Sequence, residues 1–184
     1  MIANENLSAQ AALQRLKDGN EIYLKAKTCT GDISIETRRY TSVNGQKPYA
    51  VIVGCSDSRV IPECIFSSGI GELFVVRVAG NVIDKHQLGS IEYATEHLGC
   101  KLVVVLGHTG CGAVSAAVNT NSGYVKFITD EIRKAVGIET DAVRASILNV
   151  KQSVAKIEKL VKKIDGVQIT GALYRTESGA VEFI

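Results

Sequence analysis

YAVIVGCSDSRVIP, residues Tyr49–Pro62, is a short apolar run that stops abruptly at residues able to bind a metal, Cys55 and Asp57. A second run, LVVVLGHTGCGAV at Leu102–Val114, ends the same way in His108 and Cys111. Gly-bounded runs rich in Val and Ile read as strands buried on both faces of a parallel sheet. Ligands of open parallel sheets bind beyond the carboxyl ends of the strands, so two neighbouring ends bring Cys55, His108 and Cys111 to one point. Three N/S donors make a zinc site with one position open, the coordination of a catalytic zinc; a structural zinc is normally closed by a fourth Cys or His. His108 and Cys111 stand three apart at the first turn of an expected helix, which puts them on one face. The positive end of that helix is expected to favour Cys111 as thiolate. For any one of these residues alone, the plain alternative is a buried Cys packing as a small hydrophobe or a satisfied core His. Four metal-competent residues at two strand ends outweigh it.

Outward from these runs, the alternation continues. Leu73–Val78 reads as a further strand, QLGSIEYATEHL at 87–98 as a helix stopped by Gly99, and the stretch from Cys111 to about Val118 as the helix after the second run. NTNSG at 119–123 reads as a loop and 124–136 as another helical segment. Between 141 and 164, Ile147, Val150, Val154, Ile157, Val161 and Ile164 recur at three- and four-residue intervals opposite lysines. VQITGALYR, the turn-like TESG and AVEFI close the chain as a strand and an antiparallel edge strand. Residues 7–27 read as one or two amphipathic helical segments punctuated by Gly19, and a short helix is expected around Ile35–Ser42. The apolar stripe of residues 7–24 must be covered either by its own domain or by a second subunit. The expected fold is α/β: a central, mostly parallel sheet of four strands with an antiparallel edge strand, flanked by helices. One domain spans 1–184, with 1–45 as an N-terminal helical arm and 46–184 as the α/β core.

Composition excludes several classes. With 184 residues, 21 basic and 19 acidic side chains interspersed and a formal net charge of +2, there is no polybasic arm for nucleic acid. The five cysteines, at 29, 55, 64, 100 and 111, do not make the framework of a small disulfide-rich secreted domain. MIANENLSAQ lacks the pattern of a signal peptide, and no apolar run approaches a membrane span. The expectation is a cytoplasmic protein with neither nucleic acid nor membrane as partner. A nucleotide-binding reading of Gly110 and Gly112 fails because position 115 is Ser and no Gly-Lys-Ser/Thr occurs.

CSDSR at 55–59 with HTGC at 108–111 resembles the beta-class carbonic anhydrases, whose zinc signature is Cys-x-Asp-x-Arg followed at a distance by His-x-x-Cys. The resemblance runs through GQKPYAVIVGCSDSRV, LFVVRVAGN, GSIEYA and VVVLGHTGCGAV, roughly residues 45–118. It implies one zinc per chain on Cys55, His108 and Cys111, with water or Asp57 in the fourth position, and reversible hydration of carbon dioxide to bicarbonate by a zinc-bound hydroxide. It further implies that Asp57 accepts the hydrogen of that hydroxide while Arg59 holds Asp57 off the metal. A homodimer or a tetramer of dimers is implied, with N-terminal helices embracing the partner. Gln46 matches the substrate-binding glutamine of the plant-like subgroup, and Phe74 and Tyr93 match its pocket aromatics. Ile52 stands where the bicarbonate-inhibited subgroup carries a tryptophan, and 119–140 departs from the usual pattern.

On the residues alone, Asp57 and Arg59 also fit a simple turn, and Phe74 and Tyr93 fit core positions. Because two thiolates neutralise the dication, activity is expected to rise with pH above neutrality. His86 and His97 read as ordinary residues before proton relays, and Cys29, Cys64 and Cys100 as inert or merely oxidisable. The competing functions are hydrolysis of carbonyl sulfide or carbon disulfide on the same scaffold and a non-catalytic, zinc-stabilised regulatory protein.

Overall fold

The computed structural model describes residues 7–119, 125–161 and 165–184. In chain order the elements are α1 (Ala9–Lys25), α2 (Ile35–Asn44), β1 (Ala50–Gly54), α3 (Pro62–Ile65), β2 (Leu73–Arg77), a 3-10 turn (Ala79–Asn81), α4 (Lys85–Glu96), β3 (Leu102–His108), α5 (Gly112–Asn119), α6 (Lys126–Val136), α7 (Ala142–Val161), β4 (Gln168–Tyr174) and β5 (Val181–Phe183). The loop expected at 119–123 lies almost wholly outside the described residues, as does Ile164 at the end of the apolar stripe.

The five strands pair in the order β2-β1-β3-β4-β5. All neighbours are parallel except β4 and β5, which run antiparallel. This is the expected sheet. Its central strands β1 and β3 are buried throughout, which is why their sequences are unbroken apolar runs with no alternation to polar residues. Alternate residues still serve opposite faces. Ala50, Ile52, Leu102, Val104 and Leu106 pack with Ala12 and Leu16 of α1 and with Ile65 of α3. Val51, Val53, Val103 and Val105 pack with Ile91 and Ala94 of α4 and with Val150 and Ile157 of α7. Burying each such side chain contributes about 1.5–3 kcal/mol before chain entropy is counted.

The first helix settles one open point and bears on another. It is one helix, uninterrupted by Gly19, because that glycine is there for contact: a Cβ at position 19 would lie 2.1 Å from the carbonyl oxygen of Phe66. Ser8 caps it by accepting from the N–H of Ala11. Ala12 and Leu16 are fully buried on the chain's own sheet, while Ile22 and Leu24 stay about half exposed, so the stripe of residues 7–24 is covered at home only in part.

Candidate metal centre

β1 and β3 lie side by side in register, Gly54 beside Leu106, so the residues that follow them converge. Cys55 leaves β1 by one residue, His108 closes β3, and Cys111 stands just before the first residue of α5. All three are buried, and their donor atoms, two Sγ and one imidazole nitrogen, lie within 4.8 Å of one another. Ligands at 2.0–2.3 Å from a tetrahedral zinc lie roughly 3.5–3.8 Å apart, a small contraction from that limit.

The donor chemistry fits the ion. His108 Nδ1 lies 3.0 Å from the carbonyl oxygen of Thr109, which can only accept; Nδ1 therefore carries the proton and Nε2 presents its lone pair. Nε2 is buried and has no hydrogen-bond partner, a costly state for a polar atom unless a ligand completes it. Between the two thiols the negative charge goes to Cys55, whose pKa is drawn down to about 4, first by donation from the Cys111 thiol against the opposing effect of burial. Contact with His108 and the N–H groups of Gly80 and Asp57 adds to it. Cys111 is pushed up, chiefly because Cys55 holds the charge beside it. The N–H groups of Ala113 and Val114 favour the Cys111 thiolate, as the helix-end argument expects, while charge on the neighbouring Cys55 opposes it. Binding a metal would release the remaining proton.

Asp57 and Arg59 form a two-pronged pair. Arg59 Nε donates to Oδ1 at 3.0 Å and its terminal nitrogen to Oδ2 at 2.8 Å, while the Arg59 backbone N–H reaches Oδ1 at 2.9 Å. The same guanidinium donates to the Gly110 carbonyl at 3.0 Å, tying the β1 turn to the β3 turn. Held by Arg59 first, the Asp57 carboxyl lies well below the usual carboxylate range. Its Oδ2 is 3.9 Å from His108 Nε2, at the rim of the three donors.

Four residues have supporting roles that escaped the sequence reading. Arg77, the last residue of β2, donates to the backbone carbonyls of Cys55 at 3.0 Å and of Asp57 at 2.8 Å, clamping the turn that carries both. Gly80 directs its N–H at Cys55 Sγ, 3.2 Å away. It does so at φ +67, and a Cβ there would come within 2.7 Å of Ile132 Cδ1, so only glycine fits. Asn149 of α7, almost fully buried, donates to the Gly80 carbonyl at 2.7 Å, and Ser153 one turn on donates to that of Asn81. Asn149 and Ser153 sit at i and i+4 beside the apolar stripe of α7, a polar pair on a buried helix face that is the one signal the sequence offered.

Gln46, Phe74 and Tyr93 are elsewhere. Phe74 pairs with Val51 at the start of β1, four residues before Cys55, which is about 13 Å at the rise of a strand. Phe74 and Tyr93 face each other with ring centroids 6.2 Å apart, and exposed Gln46 lies near Gly71 just before β2. Within one chain, then, the expected pocket residues gather at the amino end of the strands and the metal donors at the carboxyl end. His86 is exposed beside Asp84, and His97 packs on Tyr93.

A family profile described as carbonic anhydrase matches residues 50–181. The chain belongs to the beta-class carbonic anhydrases. It is 38% identical to the carbonic anhydrase of Mycolicibacterium smegmatis over 96% of this chain and 94% of that one. With carbonic anhydrase 2 of Mycobacterium tuberculosis the identity is 45%, over 71% of this chain and 66% of the relative. Among solved structures it resembles the β-carbonic anhydrase CafA of Aspergillus fumigatus, with a TM-score of 0.70, 28% identity, and coverage of 95% and 89% of the two chains. A tetrameric β-carbonic anhydrase of Sordaria macrospora has the same fold, with a TM-score of 0.70, 23% identity, and coverage of 82% and 87%. Members of this family are zinc enzymes that hydrate carbon dioxide reversibly to bicarbonate and a proton, and this chain carries the Cys-His-Cys donor set for that metal.

Proposed function

We propose that Cys55, His108 and Cys111 hold the one zinc with which this beta-class carbonic anhydrase hydrates carbon dioxide. The observation that carries the reading is the buried, unpartnered His108 Nε2 facing two thiols at adjoining strand ends. Bound zinc supplies Lewis acidity, which in the best-known sites lowers the pKa of water to about 7. Asp57, kept ionised by Arg59, is an acceptor at the rim of the donors and would accept a hydrogen bond from the attacking oxygen, aiming its lone pair at carbon. Arg59 occupies both carboxylate oxygens, which supports water or a small anion over Asp57 as fourth ligand. Arg77 and the Asn149–Gly80 relay keep the Cys55–Asp57 turn at the place where these acts occur.

The pocket is completed by a second copy. Gln46, Phe74 and Tyr93 sit at the wrong end of their own sheet, so a partner's set must close over each metal centre, in a homodimer or a tetramer of dimers. Gln46, with Ile52 in place of tryptophan, supports placing the chain in the plant-like subgroup. We read 1–184 as a single domain, 1–45 as its helical arm, and the location as cytoplasmic; among the described residues no helix is long and apolar enough to cross a membrane. No feature of the described residues favours carbonyl sulfide or carbon disulfide as substrate, or a non-catalytic role. The test is stopped-flow hydration of carbon dioxide by protein of known zinc content, run beside carbonyl sulfide hydrolysis. Turnover in proportion to zinc is expected with carbon dioxide; zinc-loaded protein inert toward it would overturn the proposal.

A further inference from the structure

Away from the metal centre, two cysteines meet. Cys29 lies in the connection between α1 and α2 and is exposed; Cys64 is the third residue of α3 and is half-buried. Both thiols are free and both line one open cavity of about 440 Å³, with Tyr23, Lys27, Tyr174 and Glu177 around them. The connection that carries Cys29 is pinned to the chain beyond α3. Ile70 donates to the Asp32 carbonyl at 3.0 Å, and the backbones at Gly31 and Gly69 press on Ser68 and Asp32 so closely that a Cβ on either glycine would fall within 2.6 Å of a carbonyl oxygen. Thirty-five positions apart in sequence, the two thiols are thus held together by the fold. The remaining cysteines differ in kind: Cys55 and Cys111 belong to the metal donor set, and Cys100 is buried with its thiol donating to the Pro48 carbonyl.

We propose that Cys29 and Cys64 are a redox pair, closed to an intramolecular disulfide by a small-molecule disulfide such as oxidised glutathione and reopened by a dithiol. The exposed Cys29 sulfur attacks one sulfur of oxidised glutathione, forming a mixed disulfide and releasing one glutathione. Cys64 then attacks the Cys29 sulfur, its proton leaving with the second glutathione. Two protein thiols are oxidised, one disulfide is reduced, and two glutathione thiols result. Cys29 is the more exposed of the two and so initiates, while half-buried Cys64 is suited to resolve: burial first, and then its contact with Cys29, push its thiol up to about 12, which keeps it from initiating. The closed bridge fastens the connection after α1 to α3, which begins three residues beyond Arg59. It leaves the metal donors untouched.

The test uses the zinc-loaded full chain, reduced and then exposed to oxidised glutathione, alkylated and digested with trypsin. The expected product joins peptide 28–38 to peptide 60–77, with zinc content unchanged and the unfolding midpoint raised on the order of 5–10 °C. A dithiol should reverse both changes. Cys64→Ser should instead accumulate glutathione on Cys29, and Cys29→Ser should show neither bridge nor shift. A lasting glutathione adduct on Cys29 of the unsubstituted chain with Cys64 still alkylated, or oxidation falling first on Cys55, Cys100 or Cys111, would overturn the proposal.

Discussion

Replacing Asn149 by Ala probes how far the metal centre depends on a residue that touches no metal donor. Asn149, 3% exposed, donates through its side chain to the carbonyl of Gly80, and the N–H of Gly80 points at Cys55 Sγ. The substitution leaves a buried carbonyl without its donor, a loss of about 1–3 kcal/mol with a small cavity besides. At about 2 kcal/mol, the unfolding midpoint of a chain this size falls by about 4–8 °C. The freed turn also loosens its N–H from the Cys55 thiolate, and outer partners of metal ligands are typically worth about 10–100-fold in metal affinity. Thermal unfolding of the zinc-loaded protein and competition with a chelator measure the two effects separately. Both should move. A variant with the parent's midpoint and the parent's hold on zinc would refute the relay from α7 through Gly80 to Cys55.

Other outcomes follow from the same geometry. Arg59→Ala should keep its zinc yet lose most activity, because Asp57 is then free of both prongs; full activity would show that the pair has no part in turnover. If the partner's pocket closes over each zinc, coexpressing a Cys55→Ser chain with a Gln46→Ala chain should restore about a quarter of full activity, since half of the dimers are mixed and each holds one intact site. A pocket built within one chain predicts no restoration. Asp32, held down to about 2 by the Thr37 hydroxyl and then by the Ser34 N–H, contributes stability above its ordinary value near pH 4 and loses it as pH falls toward 2. Asp32→Asn should accordingly be less stable than the parent at pH 6, with the gap closing near pH 2 in acid-unfolding curves; a gap that widens in acid would reverse the assignment.

The metal centre was legible because its residues end two buried strands, and a buried parallel strand announces itself as an unbroken Val and Ile run whose last residue must face the ligand side. That β1 and β3 are neighbours followed from the same runs; the full strand order did not. What could not be read were partnerships without periodicity. Asn149 meets Gly80 across 69 positions, Arg77 reaches back 22 to Cys55, and Cys29 meets Cys64 through a turn packed on backbone atoms. Helix α1 stayed open for a related reason: an amphipathic stripe tells that a face is suited to cover, and only the fold tells which part of it is covered by its own sheet. Gln46, Phe74 and Tyr93 were picked out by likeness to a family, which names residues without saying that they lie at opposite ends of the same sheet from the metal.

The most direct measurement of the central claim is zinc content and carbon dioxide hydration in Cys55→Ala, His108→Ala and Cys111→Ala, each compared with the parent. One zinc per chain is expected in the parent, and parallel loss of metal and activity in all three variants, because each removes one of three protein donors from a four-coordinate site. A folded variant of any of the three that retains full zinc and turnover would contradict the assignment of that residue, and with it the centre as described.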